Sequence, residues 1–199
     1  MLALPNPMLA RQEPLPTGRG WRFEPKLDGF RCLTCTHGRF KARSRRGWDM
    51  TPLIPELAAS LPSNVQLDGE LVAWDEQGQP DFHRLCHRML HGDAHVPVTY
   101  MVFDVLAVDG LRVIGLPYHE RRSLLASLPI DTPRARVVAS FDDGYALWQT
   151  VCDRGLEGVV AKRLRDPYRP RRPQLGQDEE PRFQEELAGV HRRPKPRAS

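Results

Sequence analysis

The sequence predicts a soluble domain of the α+β class, and three observations lead to this prediction. The 199 residues suffice for one large domain or two small ones. Strand-like and helix-like segments alternate between residues 21 and 164, with glycine and proline in the connections. Hydrophobic residues make up 40% and charged residues 27% of the chain, and no apolar run approaches the ~18 residues of a membrane-spanning helix. The sequence therefore does not predict a membrane protein.

Six segments carry strand patterns and four carry helix patterns. The predicted strands are Trp21–Glu24, Gly29–His37, Arg39–Ser44, Val65–Trp74, Val98–Val108 and Leu156–Leu164. The second and third form a hairpin that turns at His37-Gly38, and the fifth is the most apolar. The predicted helices are Pro52–Ser60, Phe82–Leu90, His119–Leu128 and Asp143–Asp153. Asp143 at the start of the last helix and Gly155 just past its end are typical caps.

These patterns divide the chain into three parts. Residues 1–20 are an N-terminal lead segment, 21–164 are the folded domain, and 165–199 are a tail rich in proline and arginine. The tail holds six prolines and almost no periodic apolar residues, which predicts disorder. It also carries most of the net charge of +4, so the folded part offers little general attraction to nucleic acid.

Cysteine and histidine patterns do not predict a structural metal site. Four cysteines without a secretion signal predict reduced thiols and a cytoplasmic location. Cys32 and Cys35 form a C-x-x-C within a predicted strand, where residues three apart point to opposite faces. His83, His87 and His91 fit one face of a helix that offers no acidic partner. We interpret that helix as amphipathic or solvated.

Lys26 stands out because only four of the 29 basic residues are lysines. It lies between two carboxylates in Glu24-Pro25-Lys26-Leu27-Asp28-Gly29-Phe30-Arg31. One interpretation is a surface hairpin with an ordinary ion pair, worth under ~1 kcal/mol. The other is a nucleophilic amine, which requires its pKa to be lowered from about 10.4. The segment alone leaves both interpretations open.

The segment Lys26-Leu27-Asp28-Gly29-Phe30-Arg31 resembles the K-x-D-G-x-R signature of covalent nucleotidyltransferases, and in particular of the adenylation domain of ATP-dependent DNA ligases. Further segments that resemble motifs of this family follow in order. They are Ser44-Arg45-Arg46-Gly47, Leu67-Asp68-Gly69-Glu70-Leu71-Val72, Phe103-Asp104-Val105-Leu106 and Glu157-Gly158-Val159-Val160-Ala161-Lys162-Arg163. The resemblance covers about residues 21–170, and its ordered motifs make it specific.

The resemblance implies a nucleotidyltransferase (ATP-grasp-like) domain with antiparallel sheets flanked by helices, and a site for ATP and Mg²⁺. The amine of Lys26 would carry AMP as a phosphoramide. The expected contacts of the other site residues are Glu24 with adenine, Arg31 with ribose or phosphate, Arg45 with the nucleotide and a nick phosphate, Glu70 with the ribose hydroxyls and metal, Phe103 stacked on adenine, Glu157 with metal, and Lys162 with the α-phosphate. AMP would pass to a 5′-phosphate at a nick in double-stranded DNA, and a 3′-hydroxyl would then seal the strand.

The sequence departs from this family after Tyr168-Arg169-Pro170. The tryptophan and lysine pair that follow in the family are missing, and so is the oligonucleotide-binding domain. Four alternatives stay open: a minimal enzyme assisted by a protein partner, a truncated or frame-shifted ligase with an unrelated tail, a degenerate copy that only binds nucleotide or nucleic acid, and an RNA-capping type of guanylyltransferase. Arginines at positions 39, 43, 45 and 46 predict a local phosphate-binding patch beside the alternative of a solvated hairpin face.

Overall fold

The computed structural model describes residues 2–170, which form nine strands and three α-helices. The strands are β1 (Trp21–Lys26), β2 (Phe30–Cys35), β3 (Lys41–Ser44), β4 (Val65–Val72), β5 (Thr99–Val108), β6 (Leu111–Arg112), β7 (Asp131–Thr132), β8 (Ala135–Val137) and β9 (Gly158–Arg163). The helices are α1 (Phe82–His91), α2 (Tyr118–Ser127) and α3 (Gly144–Asp153).

The strands form two sheets. Strands β1 and β9 make a two-stranded antiparallel sheet. The larger sheet has seven strands in the order β3-β2-β4-β5-β8-β7, with β6 paired to β5. All described pairs are antiparallel except β5 with β8. The prediction of an α+β fold with antiparallel sheets is thus confirmed, while β6, β7 and β8 were not predicted because two or three residues carry no periodic pattern.

One predicted helix is wrong. The segment Pro52–Ser60 forms two 3₁₀ turns, Thr51–Leu53 and Pro55–Ser60, instead of one α-helix. Pro55 has no backbone N–H to donate, so a continuous α-helical ladder through this segment is interrupted. Leu57 is nevertheless buried, as its apolar spacing suggested.

The predicted caps of the last helix are confirmed. The Asp143 side chain accepts hydrogen bonds from the backbone N–H groups of Tyr145 and Ala146, both at 3.0 Å. These donors have no partner inside the helix, and the carboxylate satisfies them. Gly155 beyond the end of α3 has a φ of +62°, a conformation that glycine adopts without strain.

The main hydrophobic core lies on one face of the large sheet. Strands β2, β4 and β5 supply Cys32, Leu67, Leu71 and Val102, and α1 packs on them through Leu85 and Met89. A second cluster joins α3 to the small sheet and contains Phe23, Leu147 and Val151. These two clusters pack against the two sheets. Polar side chains lie where the two sheets meet, a place that we call the sheet junction.

The N-terminal segment covers part of the other face of the large sheet. Leu4 and Met8 pack against Leu33, Leu106 and Tyr168. The segment 165–170 therefore packs against the domain through Tyr168, which is only 4% exposed. The rest of the predicted tail, 171–199, lies outside the described residues.

Cys32 and Cys35 are buried on β2. Among residues 2–170, no group of three or more histidine, cysteine and acidic residues could hold a metal ion. The three histidines lie on α1, where the His87 and His91 rings are 5.4 Å apart between centroids. Within the same part of the chain, no helix is long and apolar enough to cross a membrane.

Gly29 is required for close contact between β2 and β4. A Cβ atom at this position would lie 2.1 Å from the carbonyl oxygen of Leu71 and 2.9 Å from Cγ of Glu70. We expect Gly29→Ala to lower the free energy of unfolding by about 3 kcal/mol, because backbone must move to relieve the overlap. Gly115→Ala is the matched control, since its Cβ would meet nothing within 4 Å. Denaturant unfolding of both variants checks this, and equal stability of the two would contradict it.

Candidate active site

Lys26 ends β1 beside the residue that precedes β9. In the antiparallel register Lys26 pairs with Gly158, which places Glu157 next to it. The Nζ atom of Lys26 forms an ion pair with Oε1 of Glu157. The Lys26 side chain is 44% exposed, so a solute can reach its amine. The structure thus brings together the predicted nucleophile and one predicted metal ligand.

Glu24 and Lys162 project from the same face of the small sheet as Lys26. Oε2 of Glu24 lies 2.7 Å from Nζ of Lys162, and the Tyr118 hydroxyl donates to Oε1 of Glu24 at 2.6 Å. Arg122 Nη1 is 3.7 Å from the same oxygen. The Glu24 side chain is only 3% exposed, so it serves as the buried counter-ion of Lys162. Its expected place beside adenine stays a prediction.

Arg31 and Glu70 lie opposite each other on β2 and β4. Arg31 forms a bidentate ion pair with fully buried Asp68. Its Nε donates to Oδ1 at 2.6 Å and its Nη2 donates to Oδ2 at 2.7 Å. Burial lowers the pKa of the Arg31 guanidinium, but the charge and hydrogen bonds of Asp68 outweigh that effect and raise it. Arg31 is therefore a fixed cation, and its contact with ribose or phosphate stays a prediction.

Phe103 lies at an irregularity in β5. Two consecutive residues of β4 pair with Asp104 and Val102, so Phe103 between them has no opposite partner. A bulge of this kind turns a side chain away from its regular direction. The Phe103 ring centroid lies 4.5 Å from Cζ of Arg31 and 4.8 Å from Nζ of Lys162. The ring thus sits at the junction of the sheets, beside one cation from each.

Glu70 is a site residue whose pKa is strongly raised. Burial raises its pKa to about 8, and the negative charges of Asp68 and Glu157 add to the rise, while Arg31 and Lys26 oppose it. The two predicted metal ligands are therefore close enough to repel each other. A cation or a hydrogen-bond donor placed beside Glu70 would lower this raised pKa and favour the ionised form.

The predicted arginine patch is wrong in one member. Arg39, Arg45 and Arg46 are exposed on the hairpin, but Arg43 is half-buried and donates from Nη2 to the carbonyl oxygens of Leu4 and Pro5, at 3.2 and 2.8 Å. Burial also lowers the pKa of Arg43. Arg43 lies between buried Ala42 and Ser44 on β3, and its hydrogen bonds hold its side chain against the N-terminal segment. Among residues 2–170, Arg45 has no hydrogen bond or ion pair with Lys26, Glu24 or Lys162.

Sequence reasoning missed the residues that hydrogen-bond to the counter-ions of the site cations. Tyr118 donates to Glu24, and Tyr168 donates to Asp68 at 2.6 Å. Asp68 was noticed only as part of a motif. The one available signal was the presence of tyrosines near the start of α2 and after β9, and sequence alone does not connect either of them with a particular carboxylate.

Comparison with known proteins identifies the family to which the chain belongs. The family model described as "ATP dependent DNA ligase domain" matches residues 6–175. The chain belongs to this family. The multifunctional non-homologous end joining DNA repair protein LigD of Mycobacterium tuberculosis H37Rv is 36% identical over 157 residues, which cover 76% of this chain and 20% of that protein. The prophage-derived DNA ligase-like protein LigB of Bacillus subtilis 168 is 32% identical, covering 73% of this chain and 55% of that protein.

Solved structures of DNA ligases share the fold of this ligase domain. Mycobacterial DNA ligase D complexed with ATP and MES superposes with a TM-score of 0.71 at 32% identity, covering 83% of this chain and 56% of that one. A Lig E DNA ligase gives a TM-score of 0.63 at 21% identity, which supports the fold alone. The predicted nucleotidyltransferase fold is confirmed. The chain spans about a fifth of the LigD relatives.

The raised pKa of Glu70 predicts how the stability of the ligase domain varies with pH. The folded state keeps the Glu70 proton up to about pH 8, whereas the unfolded state releases it near its ordinary pKa. The folded state therefore binds more protons between these values, and stability falls as pH rises through them. We expect Glu70→Gln to reduce this fall by on the order of 2 kcal/mol. Urea unfolding at pH 5 and pH 8 checks the prediction, and identical pH dependence in both proteins would refute it.

Proposed function

We propose that this ligase domain forms a lysyl-AMP intermediate at Lys26 as the first step of sealing nicks in DNA repair or recombination. The observation that carries the proposal is the position of the Lys26 amine, accessible and in contact with Glu157. Arg31, Lys162 and Phe103 lie at the neighbouring sheet junction. The site therefore combines a nucleophile, fixed cations and an aromatic face in one place.

In the first step, the Lys26 ammonium loses a proton to solvent, and the resulting amine attacks the α-phosphorus of ATP. An N–P bond forms as the bond to pyrophosphate breaks, pyrophosphate leaves with the bonding electrons, and the attacking nitrogen releases its second proton to solvent. The attack requires the ion pair with Glu157 to open, because an ammonium has no free electron pair. Lys162 and Arg31 would stabilise the charge that builds on the phosphate oxygens, since both are held rigidly by buried carboxylates. Phe103 would offer its ring to adenine, where stacking contributes roughly 1–3 kcal/mol.

The donor set also fits Mg²⁺. Glu157 and Glu70 supply hard oxygen ligands, and a divalent cation would lower the raised pKa of Glu70 and favour its ionised form. Mg²⁺ commonly takes one or two carboxylates together with substrate phosphates. When bound, it would neutralise charge on the phosphates. Moving the Glu157 charge from Lys26 to the cation would also favour the neutral amine.

The second and third steps would use nicked double-stranded DNA. AMP would move from Lys26 to the 5′-phosphate at the nick, and the 3′-hydroxyl would then displace AMP as the phosphodiester bond forms. The exposed cations of the hairpin, Arg39, Lys41, Arg45 and Arg46, would hold the phosphates near the site. A protein partner would assist these steps. Free cysteines are compatible with action in the cytoplasm.

The hairpin patch predicts a salt-dependent affinity for nicked duplex. One phosphate contact from each of these four cations gives a slope of roughly −3.6 in a plot of log affinity against log salt concentration. We expect the double variant Arg45→Ala, Arg46→Ala to reduce the slope by about two. The matched control replaces Arg134 and Arg136, which are exposed at the opposite end of the sheet. Fluorescence anisotropy at several salt concentrations checks this, and a flat response of the unaltered chain would exclude the patch.

The first step is tested by incubating the full chain with ATP and Mg²⁺ and measuring its intact mass. The proposal predicts the addition of one AMP, followed by loss of the adduct when nicked DNA with a 5′-phosphate is added. A parallel incubation with GTP separates an adenylating from a guanylylating enzyme. ATP binding without an adduct would instead support a module that only binds nucleotide.

A further inference from the structure

A closed ring of hydrogen bonds connects the two ends of the described chain with Arg31. Met8 N–H donates to the Tyr168 hydroxyl at 2.8 Å, and that hydroxyl donates to Asp68 Oδ2 at 2.6 Å. Arg31 Nη2 then donates both to Asp68 Oδ2, at 2.7 Å, and to the Met8 carbonyl oxygen, at 3.1 Å. We call these four residues the Arg31 ring.

The Arg31 ring is sheltered from water. Asp68 is fully buried and Tyr168 is 4% exposed, and Met8 packs beside Tyr168 on Leu33 and Leu106. Burial and the Asp68 charge raise the pKa of Tyr168, so its hydroxyl keeps the proton that it donates. In such surroundings each hydrogen bond restrains its neighbours more strongly than it would in water.

The restrained group, Arg31, faces the predicted adenine platform. Its Cζ lies 4.5 Å from the centroid of the Phe103 ring. Without the Tyr168 hydroxyl, Asp68 Oδ2 would lose one of its two donors and Met8 N–H would lose its acceptor. The guanidinium would keep its hydrogen bonds to Asp68 and the Met8 carbonyl oxygen, but both of these acceptors would be less restrained. Arg31 would be less well oriented relative to Phe103.

We propose that Tyr168 is a positioning residue for the nucleotide, acting through Asp68 to fix Arg31 against Phe103, with Met8 closing the ring. This inference rests on the proposed function, because it assumes that ATP binds at the sheet junction. It assigns a role to a residue outside the motifs that contact the nucleotide in the expected mechanism. It also gives the N-terminal segment a part in forming the site.

Tyr168→Phe tests the inference because it deletes the hydroxyl and keeps the buried ring. Titration of the full chain with ATP by calorimetry measures the dissociation constant and the number of sites separately. We expect the dissociation constant to rise about tenfold, as is common when one hydrogen bond to a charged group is lost, with the number of sites unchanged. Tyr145→Phe, on the exposed tyrosine of α3, is the matched control and should bind as the unaltered chain does.

Adenylation kinetics give a second readout. Tyr168→Phe should raise the KM for ATP and also lower the limiting rate several-fold, because Arg31 is proposed to contact the nucleotide before the reaction and to stabilise the charge that builds during it. A variant that was only less stable would instead lose active sites at an unchanged dissociation constant, and that result overturns the inference. Unchanged binding by Tyr168→Phe overturns it too, while the proposed function stands. Failure of the unaltered chain to bind ATP would refute the proposed function and this inference with it.

Discussion

We expect the replacement of Lys26 with arginine to abolish formation of the AMP adduct, with a loss of at least about 10³-fold in rate, the scale seen when the nucleophile of covalent catalysis is removed. Arginine keeps the positive charge and can still pair with Glu157. However, its guanidinium stays protonated and offers no electron pair for attack on phosphorus. The variant therefore separates nucleophilic action from simple charge.

The matched control is Lys41→Arg, the same substitution at the exposed first residue of β3. It should form the adduct at the rate of the unaltered chain, measured by intact mass over time with ATP and Mg²⁺. An adduct that persists in Lys26→Arg would show that another group is the nucleophile, and it would remove the basis of the proposed mechanism.

The largest expected effect on stability is at Asp104. Its carboxylate accepts from Arg121 Nε at 2.8 Å and from Nη2 at 3.0 Å, and both side chains are at most 6% exposed. Asp104→Ala leaves the Arg121 charge buried without its counter-ion, which typically costs about 3–5 kcal/mol. Since this pair joins β5 to α2, the loss would loosen the strand that carries Phe103.

Asp142→Ala provides the contrast, because Asp142 forms a solvent-exposed ion pair with Arg22. Exposed pairs contribute under about 1 kcal/mol. Equilibrium denaturation of the two variants should therefore differ by at least about 2 kcal/mol in the free energy of unfolding. Equal stabilities would mean that the Arg121–Asp104 pair does not anchor α2.

The fold could be predicted from sequence wherever a local pattern was long enough. Strand β5 and helix α3 match their predicted positions closely because ten residues of apolar periodicity and an Asp143 cap specify them. The two 3₁₀ turns before β4 were mistaken for a helix because Leu53 and Leu57 satisfy helical spacing, while Pro55 breaks the backbone ladder. The pairing of β1 with β9 depends on residues about 135 positions apart in the register and has no local signal.

The candidate site was predictable in its motif residues and less so in their supports. Lys26 and Glu157 were named from their motifs, and the sheet register places them in contact. The orientation of Phe103 toward the cations depends on a bulge between β4 and β5, and no residue type at this position predicts a bulge. Tyr118 and Tyr168 reach their carboxylates across 94 and 100 residues of chain, so only the folded structure connects them.

Locating the AMP group on the chain is the most direct test of the central claim that Lys26 is the nucleophile. After incubation with ATP and Mg²⁺, the chain is digested with trypsin at neutral pH, which preserves the phosphoramide, and the peptides are analysed by mass spectrometry. Trypsin cleaves after Arg22 and Arg31, and a modified Lys26 resists cleavage. We therefore expect AMP on the peptide from Phe23 to Arg31. The absence of any adduct, or AMP on a different peptide, would contradict it.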